Sequence, residues 1–386
     1  SGHAWNSEVK VAEDTHFPVG CTFVDLFNEG LPGILHADPF SGEMLYRSNL
    51  GNARFDEARP VLQRPNGKRY SIVDLEGDGK KQFSDMTPSK GGFYEIGDPI
   101  GLELGDEGSI CPFRPFETLP SVSGGEKNIR LIDLNGDGKA EMLVSSDSVY
   151  MWYPSKGKKG YSSAEYAPMS IEGEDGPDVI FSDQTQTVFL ADMTGDGLVD
   201  IVRIRCSEVF YYPNLGYGRF GAKVLMDNSP VLSSPDEFDP SRVLLADIDG
   251  TGTADLIYLG DGMFKCWMNQ CGNAYSAEPY VIDDAPAIND MSDVSMQDIL
   301  GNGMSCIVWT SMLPNDEGRQ LRYIDLMSGV KPYLMIGYSN SAGKSVSFEY
   351  RPSTAYYLED KANDDPWRTQ LGFPVHCISK VETYDA

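Results

Sequence analysis

Short apolar stretches alternate with acidic, glycine-rich turns along most of the chain. Each turn begins with an aspartate, and the fifth one lies between the apolar stretches at residues 243–246 and 256–259. This pattern predicts a strand, a tight turn and a second strand. It occurs six times, as Asp25-LFNEGLPG, Asp74-LEGDGKKQ, Asp133-LNGDGKAE, Asp192-MTGDGLVD, Asp247-IDGTGTAD and Asp298-ILGNGMSC. We number these nine-residue segments turns one to six.

A second, aromatic element follows about twenty residues after several of the turns. Its fullest form is YYPNLGYGRF at residues 211–220, and weaker copies begin near Leu45, Trp152 and Trp267. Aromatic residues on both sides of an Asn/Gly turn predict a hairpin between two further strands. The leading aspartates are 49, 59, 59, 55 and 51 residues apart. Each period therefore supplies about four strands, which is the size of one propeller blade.

These repeats predict an all-β chain that forms a six-bladed β-propeller of four-stranded antiparallel blades. A parallel β-helix would need a repeat of roughly twenty residues, and a helical solenoid would need an apolar period of about 3.6 residues. The predicted organisation is an N-terminal lead or ring-closing strand at 1–24, the propeller at 25–345, and ring closure or a following domain at 346–386. The stretches 93–127 and 172–186 are predicted loop insertions.

The composition narrows the range of partners. The 40 glycines and 24 prolines among 386 residues suit short strands and tight turns. The net charge of −27 repels phosphate backbones and anionic lipid headgroups, so we expect no nucleic-acid partner. No apolar run reaches eighteen residues, so we expect no direct membrane insertion.

Few residues are suited to catalysis. The seven cysteines form no C-x-x-C pair, and the four histidines stand apart in the sequence. No G-x-S-x-G nucleophile elbow is present. Residues 337–345 resemble a P-loop, but five residues separate the two glycines where that motif requires four, and the following strand-like alternation predicts a hairpin. We therefore expect the chain not to be an enzyme.

The acidic turns are the candidate cation sites. In turn three, oxygen-bearing side chains occupy positions 1, 3, 5 and 9, and glycines at positions 4 and 6 permit the tight coil that brings the oxygens together. Oxygen ligands of this kind suit Ca²⁺. The predicted ligands in turns three, four and five are Asp133, Asn135, Asp137 and Glu141; Asp192, Thr194, Asp196 and Asp200; and Asp247, Asp249, Thr251 and Asp255.

A second interpretation of the same residues stays open, since Asp and Asn also stabilise tight turns by accepting hydrogen bonds from local backbone amides. In turn two the longer Glu76 crowds the position of an ion. Turns one and six carry Gly33 and Cys306 at position nine, so we expect no metal there.

Longer motifs carry a family resemblance. The turns resemble FG-GAP/VCBS repeats, which also form the propeller of integrin heads. Other segments resemble the middle region of the B component of insecticidal Tc toxin complexes, which is related to the Salmonella virulence plasmid B protein. These segments are FNEGLPGIL at 27–35, NLGYGRF at 214–220, LLADIDG at 244–250, LRYIDLMSGVKP at 321–332, PST at 352–354 and FPVH at 373–376.

The resemblance implies a secreted, extracellular toxin complex. In that family the B and C components form a shell around a toxic fragment. The propeller of the B component docks on the funnel of the pentameric A component and gates the passage of the toxic segment into the translocation channel. This chain would then be the monomeric docking and gating module, and residues 346–386 would begin the shell domain.

Two other functions stay open. A glycan-binding propeller would use aromatic side chains such as Trp152, Tyr211 and Trp267, and an integrin-like adhesion propeller would need calcium and a protein ligand.

Overall fold

The computed structural model describes most of the chain, namely residues 5–12, 21–38, 41–61, 70–87, 90–96, 113–120, 122, 128–146, 149–169, 173–181, 187–283, 285–289 and 291–385. The two predicted loop insertions, at 93–127 and 172–186, lie partly outside the described residues. His3, His16 and Cys111 lie outside them as well.

The described residues are almost entirely β-structure. They form six four-stranded antiparallel sheets, one three-stranded sheet and one α-helix. The chain divides into two compact units, which consist of residues 1–61, 248–251 and 288–386, and of residues 62–247 and 252–287.

The first unit contains sheets one and six. Turn one connects the first two strands of sheet one, which consists of β2 (Thr22–Val24), β3 (Gly33–Ala37), β4 (Met44–Arg47) and β5 (Arg59–Pro60). In sheet six, a strand from the start of the chain joins three later strands, in the order β1 (Val9–Val11), β24 (Leu321–Ile324), β23 (Cys306–Ser311) and β22 (Ser292–Gln297). Val9 lies opposite Ile324 in this pairing.

The second unit contains sheets two to five, each with its strands in chain order. Sheets two and three consist of β6 (Ser71–Val73), β7 (Gln82–Asp85), β8 (Gly92–Glu95) and β9 (Arg114–Pro115), and of β10 (Ile129–Ile132), β11 (Glu141–Ser145), β12 (Val149–Tyr153) and β13 (Glu165–Pro168). Sheets four and five consist of β14 (Val188–Ala191), β15 (Asp200–Ile204), β16 (Val209–Tyr212) and β17 (Val224–Leu225), and of β18 (Val243–Ala246), β19 (Asp255–Gly260), β20 (Met263–Trp267) and β21 (Tyr280–Asp283).

The core lies between neighbouring sheets. Between sheets four and five, Val202, Ile204 and Leu256 are fully buried in one cluster with Trp267 and Tyr275. Burial of each such side chain contributes about 1.5–3 kcal/mol relative to an exposed position. The second strand of each of these two sheets is buried at all but one of its residues, rather than at alternate positions, because it has neighbours on both faces.

The aromatic elements form the predicted hairpins and also link neighbouring sheets. The Asn269 side chain donates to the backbone oxygens of Ala254, in its own sheet, and Met193, in sheet four, both at 3.0 Å. In the first unit, Asn49 donates in the same way to Pro32 and Ile299, in sheets one and six. In both places a buried asparagine thus fixes the acidic turns of two sheets to one hairpin.

The C-terminal part of the first unit forms a separate small sheet with one helix. The sheet consists of β25 (Gly337–Ser339), β26 (Ser345–Pro352) and β27 (His376–Tyr384), and α1 (Ser353–Ala362) follows β26. The P-loop-like segment at 337–345 is the hairpin between β25 and β26, as predicted. The ten-residue α1 was not predicted. Among the described residues, no helix is long and apolar enough to cross a membrane.

The prediction of an all-β chain built from four-stranded antiparallel, blade-like sheets is confirmed. The closure of six blades into a ring and the domain boundaries stay predictions.

Candidate functional site

The leading aspartate organises each acidic turn. In turn three, Asp133 Oδ1 accepts a hydrogen bond from the Gly136 amide at 2.7 Å, and Asp133 Oδ2 accepts one from the Gly138 amide at 2.8 Å. Both glycines have positive φ angles, of 80° and 83°, which residues with a side chain rarely adopt. Asp192 makes the same two bonds in turn four. The turn-capping role is therefore present in the structure.

The residue at position nine ties the turn to the strand that follows. Glu141 is 1% exposed, and its Oε2 accepts a hydrogen bond from the Leu134 amide at 2.9 Å. Asp200 and Gln82 make the same bond to the second residue of their own turns, at 2.9 and 3.0 Å. Gln82 is neutral and accepts the same amide hydrogen bond as the two carboxylates. This structural role therefore does not require a charge.

Burial changes the electrostatics of these carboxyl groups. It raises the pKa of Asp200 to about 6, although two backbone amides donate to the carboxylate and oppose the shift. It also raises the pKa of Glu141, and the nearby charges of Asp137 and Asp133 add to this effect. A bound cation would favour the ionised forms. Cation binding and proton binding would therefore compete at position nine.

Turn five has the arrangement that best suits a cation. Within its nine consecutive residues, carboxylate oxygens of Asp247, Asp249 and Asp255 all lie within 4.8 Å of one another. It is the only such group of three among the described residues. Asp249 and Asp255 are 3% and 0% exposed. The fourth predicted ligand, Thr251, donates its backbone amide to Asp249 Oδ1 at 3.2 Å.

In turn three the side-chain oxygens bind the turn's own backbone. Asn135 Oδ1 accepts from the Asp137 amide, and Asp137 Oδ1 accepts from the Lys139 amide, both at 2.9 Å. The predicted ligands of this turn include no group of three convergent carboxylates among the described residues.

Turn four follows the same local pattern. Asp196 Oδ1 accepts from the Leu198 amide at 2.9 Å, and the Thr194 hydroxyl donates to Asp192 Oδ1 at 3.4 Å. Calcium binding stays a prediction for all three turns, and the geometry favours turn five.

The aromatic residues considered for glycan binding are packing residues. Trp152, Tyr211 and Trp267 are only 4–5% exposed. The Tyr211 hydroxyl donates to the Gly272 backbone oxygen at 2.9 Å, and the hairpin at Gly218 packs against the Trp152 ring. None of the three presents an open face to a ligand.

Many exposed apolar side chains lie in the C-terminal part of the chain, which the sequence did not predict. Ten of the twenty large apolar side chains that are exposed among the described residues lie between residues 330 and 384. Tyr333, Ile336 and Phe373 are 62%, 76% and 61% exposed. Exposed apolar side chains concentrated in one region are typical of interaction surfaces. Only four of the ten lie in strands, namely Tyr338, Ile378, Val381 and Tyr384, so no strand alternation marks the group in the sequence.

Two parts of the chain match models of known protein families. Residues 133–203 match the FG-GAP-like repeat model. Residues 269–386 match the model of the insecticide toxin TcdB middle/N-terminal region. The predicted resemblance to FG-GAP repeats and to the B component of Tc toxins is thus confirmed. No curated protein matches the chain.

Solved structures agree with the fold. The chain is 24% identical to a chain of the Photorhabdus luminescens Tc holotoxin pore, with a TM-score of 0.82 over 100% of this chain and 18% of that one. It is 26% identical to a chain of the TcdB2–TccC3 complex, with a TM-score of 0.58 over 95% of this chain and 17% of that one. A lectin from Agrocybe aegerita that recognises non-reducing terminal N-acetylglucosamine is 16% identical, with a TM-score of 0.53 over 75% of this chain and 74% of that one. The chain therefore spans less than a fifth of the length of the toxin chains that it matches.

Proposed function

We propose that this chain is the non-catalytic docking and gating propeller of a Tc toxin B component. In this role it binds the funnel of the pentameric A component and controls the passage of the toxic segment from the B–C shell into the translocation channel. The observation that carries the proposal is the match of residues 269–386 to the TcdB middle/N-terminal region. The likeness of the whole chain to a chain of a Tc holotoxin pore supports it.

The exposed apolar residues between 330 and 384 are the proposed contact with the B–C shell. Ile336 is 76% exposed, and Val381 and Tyr384 of β27 are 55% and 56% exposed. Covering such side chains with a protein surface contributes about 25 cal/mol per Å² of apolar area. On this assignment the A component binds elsewhere on the chain, so Ile336→Ser is expected to leave binding of the A component unchanged.

Turn five is the proposed calcium site. Its three carboxylates lie within 4.8 Å of one another, and oxygen ligands of this type suit Ca²⁺. Bound calcium would neutralise a group of negative charges, two of them buried, in a chain whose net charge is already −27.

The test is binding of the purified chain to an A-component pentamer from the same source, measured by biolayer interferometry with and without EDTA. Tight binding in EDTA would support docking and would mean that binding does not require calcium in the acidic turns. Binding lost in EDTA and restored by Ca²⁺ would make calcium part of the working fold, and Asp249→Asn should then reproduce the loss. Absence of binding by a folded chain under both conditions would refute the docking function.

A further inference from the structure

Sheets four and five are joined by a hydrogen bond that has no counterpart between sheets one and six. In the second unit, the Ala254 amide at position eight of turn five donates to the Asp192 backbone oxygen of turn four at 2.8 Å. Position eight of turn one is Pro32, which has no N–H group to donate. The equivalent bond from turn one to turn six therefore cannot form.

Turns one and six also lack the tether inside the turn. Their ninth residues are Gly33 and Cys306, whereas Glu141 in turn three binds the second amide of its turn. Asn49 still joins sheets one and six through its bonds to Pro32 and Ile299. The Asn52 and Ala53 amides add bonds to the Leu300 and Ile299 backbone oxygens. Among the described residues the junction is thus formed, but without the bond from position eight and without the position-nine tethers.

The helix α1 supplies a different connection, beginning at turn one. Glu29, at position five of that turn, is 5% exposed. Its Oε1 accepts hydrogen bonds from the Tyr357 hydroxyl at 2.5 Å and from Lys361 Nζ at 2.8 Å. Hydrogen bonds to a buried carboxylate from a charged donor are among the stronger ones in proteins.

The same segment binds turn six. The Thr354 hydroxyl, in the first turn of α1, donates to the Gly301 backbone oxygen. Further along, a Cβ atom placed on Gly303 would lie 3.1 Å from the His376 ring, so the backbone of turn six and the start of β27 are in close contact. One ten-residue helix and the chain after it therefore contact both of the turns that depart from the repeat.

We propose that residues 353–376 act as a clasp that holds sheets one and six together, and that its release opens the junction between them. An isolated helix of ten residues has little stability of its own, so α1 depends on its contacts with the two turns. Lys361 is 36% exposed, which leaves the ion pair accessible to a competing partner. The clasp can thus undock by local unfolding while the sheets stay folded.

This inference rests on the proposed function for its biological role, since it identifies the part of a gating propeller that would move. It does not depend on that function for its physical test. The clasp is a property of the chain alone, whereas docking needs the A component.

The test is hydrogen–deuterium exchange of the full chain with two variants. Lys361→Met removes the charged donor to Glu29, and Tyr357→Phe removes only a hydroxyl group and preserves the packing. The matched control is Glu359→Gln on the same helix, because Glu359 pairs with Arg351 at 2.8 Å and is 55% exposed at its side chain. We expect exchange in α1 and in turns one and six to become roughly tenfold faster in Lys361→Met, as loss of a hydrogen bond to a charged group predicts. Tyr357→Phe should give a smaller change in the same segments.

Exchange in sheets two to five should match the wild type in both variants, and Glu359→Gln should leave every segment unchanged. Uniform acceleration over both units, or no acceleration in turns one and six, would overturn the clasp. If exchange changes as expected but the chain does not bind the A component, the clasp stands and the proposed function fails. If the chain binds the A component and exchange does not localise, the clasp alone fails.

Discussion

Replacement of Glu141 separates the two roles that an acidic residue at position nine can have. As a tether, its carboxylate accepts the Leu134 amide at 2.9 Å inside the sheet. As a calcium ligand, it would need its negative charge. Glu141→Gln keeps an acceptor oxygen and removes the charge, and Gln82 occupies the same position in turn two with the same bond. Glu141→Ala removes both.

The structure gives an expected magnitude for each variant. Glu141 is 1% exposed, so Glu141→Ala leaves the buried Leu134 amide without its acceptor. The unsatisfied amide costs about 1–3 kcal/mol, and the lost side-chain volume adds to this. We expect Glu141→Ala to lower the free energy of unfolding by about 3 kcal/mol. Glu141→Gln should lower it by about 1 kcal/mol or less, because one amide bond is kept.

The assay is urea unfolding of the three proteins near neutral pH, first in EDTA and then with Ca²⁺. In EDTA the tether predicts a clear difference between the Gln and Ala variants. Equal destabilisation of the two would refute the tether. A calcium-dependent gain in stability that the wild type shows and Glu141→Gln lacks would identify Glu141 as a ligand as well.

The same variant has a pH signature. Burial raises the folded-state pKa of Glu141 above its usual value of 4.5. At pH values between the usual pKa and the raised folded-state pKa, the folded state binds more protons than the unfolded state. The free energy of unfolding of the wild type therefore falls as pH rises through that range. Glu141→Gln should lack this part of the slope.

Two further predictions concern turn four and the hairpin of sheet four. Gly218→Ala should destabilise the chain by about 2 kcal/mol or more in urea unfolding, because the new Cβ would lie 2.6 Å from the Trp152 ring at a φ of +70°. Gly216→Ala, with a φ of +79° and no atom within 4 Å of its Cβ, should cost only about 1 kcal/mol, and equal costs would contradict the packing argument. Since burial raises the pKa of Asp200 from 3.8 to about 6, stability should fall by up to about 3 kcal/mol as pH rises through that range. Asp200→Asn should lack this part of the dependence in denaturation at several pH values, and an unchanged slope would count against it.

The repeated part of the fold is predictable because its signals are local. An aspartate followed by glycines at positions four and six specifies a turn whose amides converge on one carboxylate, as Asp133 shows. The Asn/Gly hairpins were equally readable. The second hydrogen bond of Asn269, to Met193, could not be read, because its partner lies 76 residues away in sequence.

The candidate site was less predictable for a physical reason. A buried carboxylate that accepts an amide and a carboxylate that binds calcium have the same sequence pattern. Gln82 shows that the tether forms without a charge in turn two, since an amide side chain at position nine is a poor substitute for a charged ligand and a good one for a tether. Calcium binding in turns three to five stays a prediction. The convergence of Asp247, Asp249 and Asp255 depends on side-chain geometry that the spacing alone does not determine.

The helix α1 was missed because its sequence, STAYYLEDKA, is short and contains two adjacent tyrosines after a strand. Its apolar surface is small, and its buried residues include Ser353 and Thr354 beside Tyr357. The contacts that stabilise it come from Glu29 and Gly301, which precede it by some 330 and 50 residues. No local sequence pattern can predict partners that are so distant in the chain.

Turns one and six show how departures from a repeat can carry information. From the sequence alone, Pro32, Gly33 and Cys306 make turns one and six look like degenerate copies of the repeat. In the structure, Pro32 removes an amide donor and Gly33 removes a tether, while Glu29 and Gly301 of the same two turns bind α1. Asp25 and Asp298 still accept hydrogen bonds from the amides of these two turns, but no residue at position nine ties the turns to the strands that follow. The additional contacts of the two turns come from α1. The two irregular copies are therefore the ones at which the chain joins sheet one to sheet six, and they are where a change in that junction would begin.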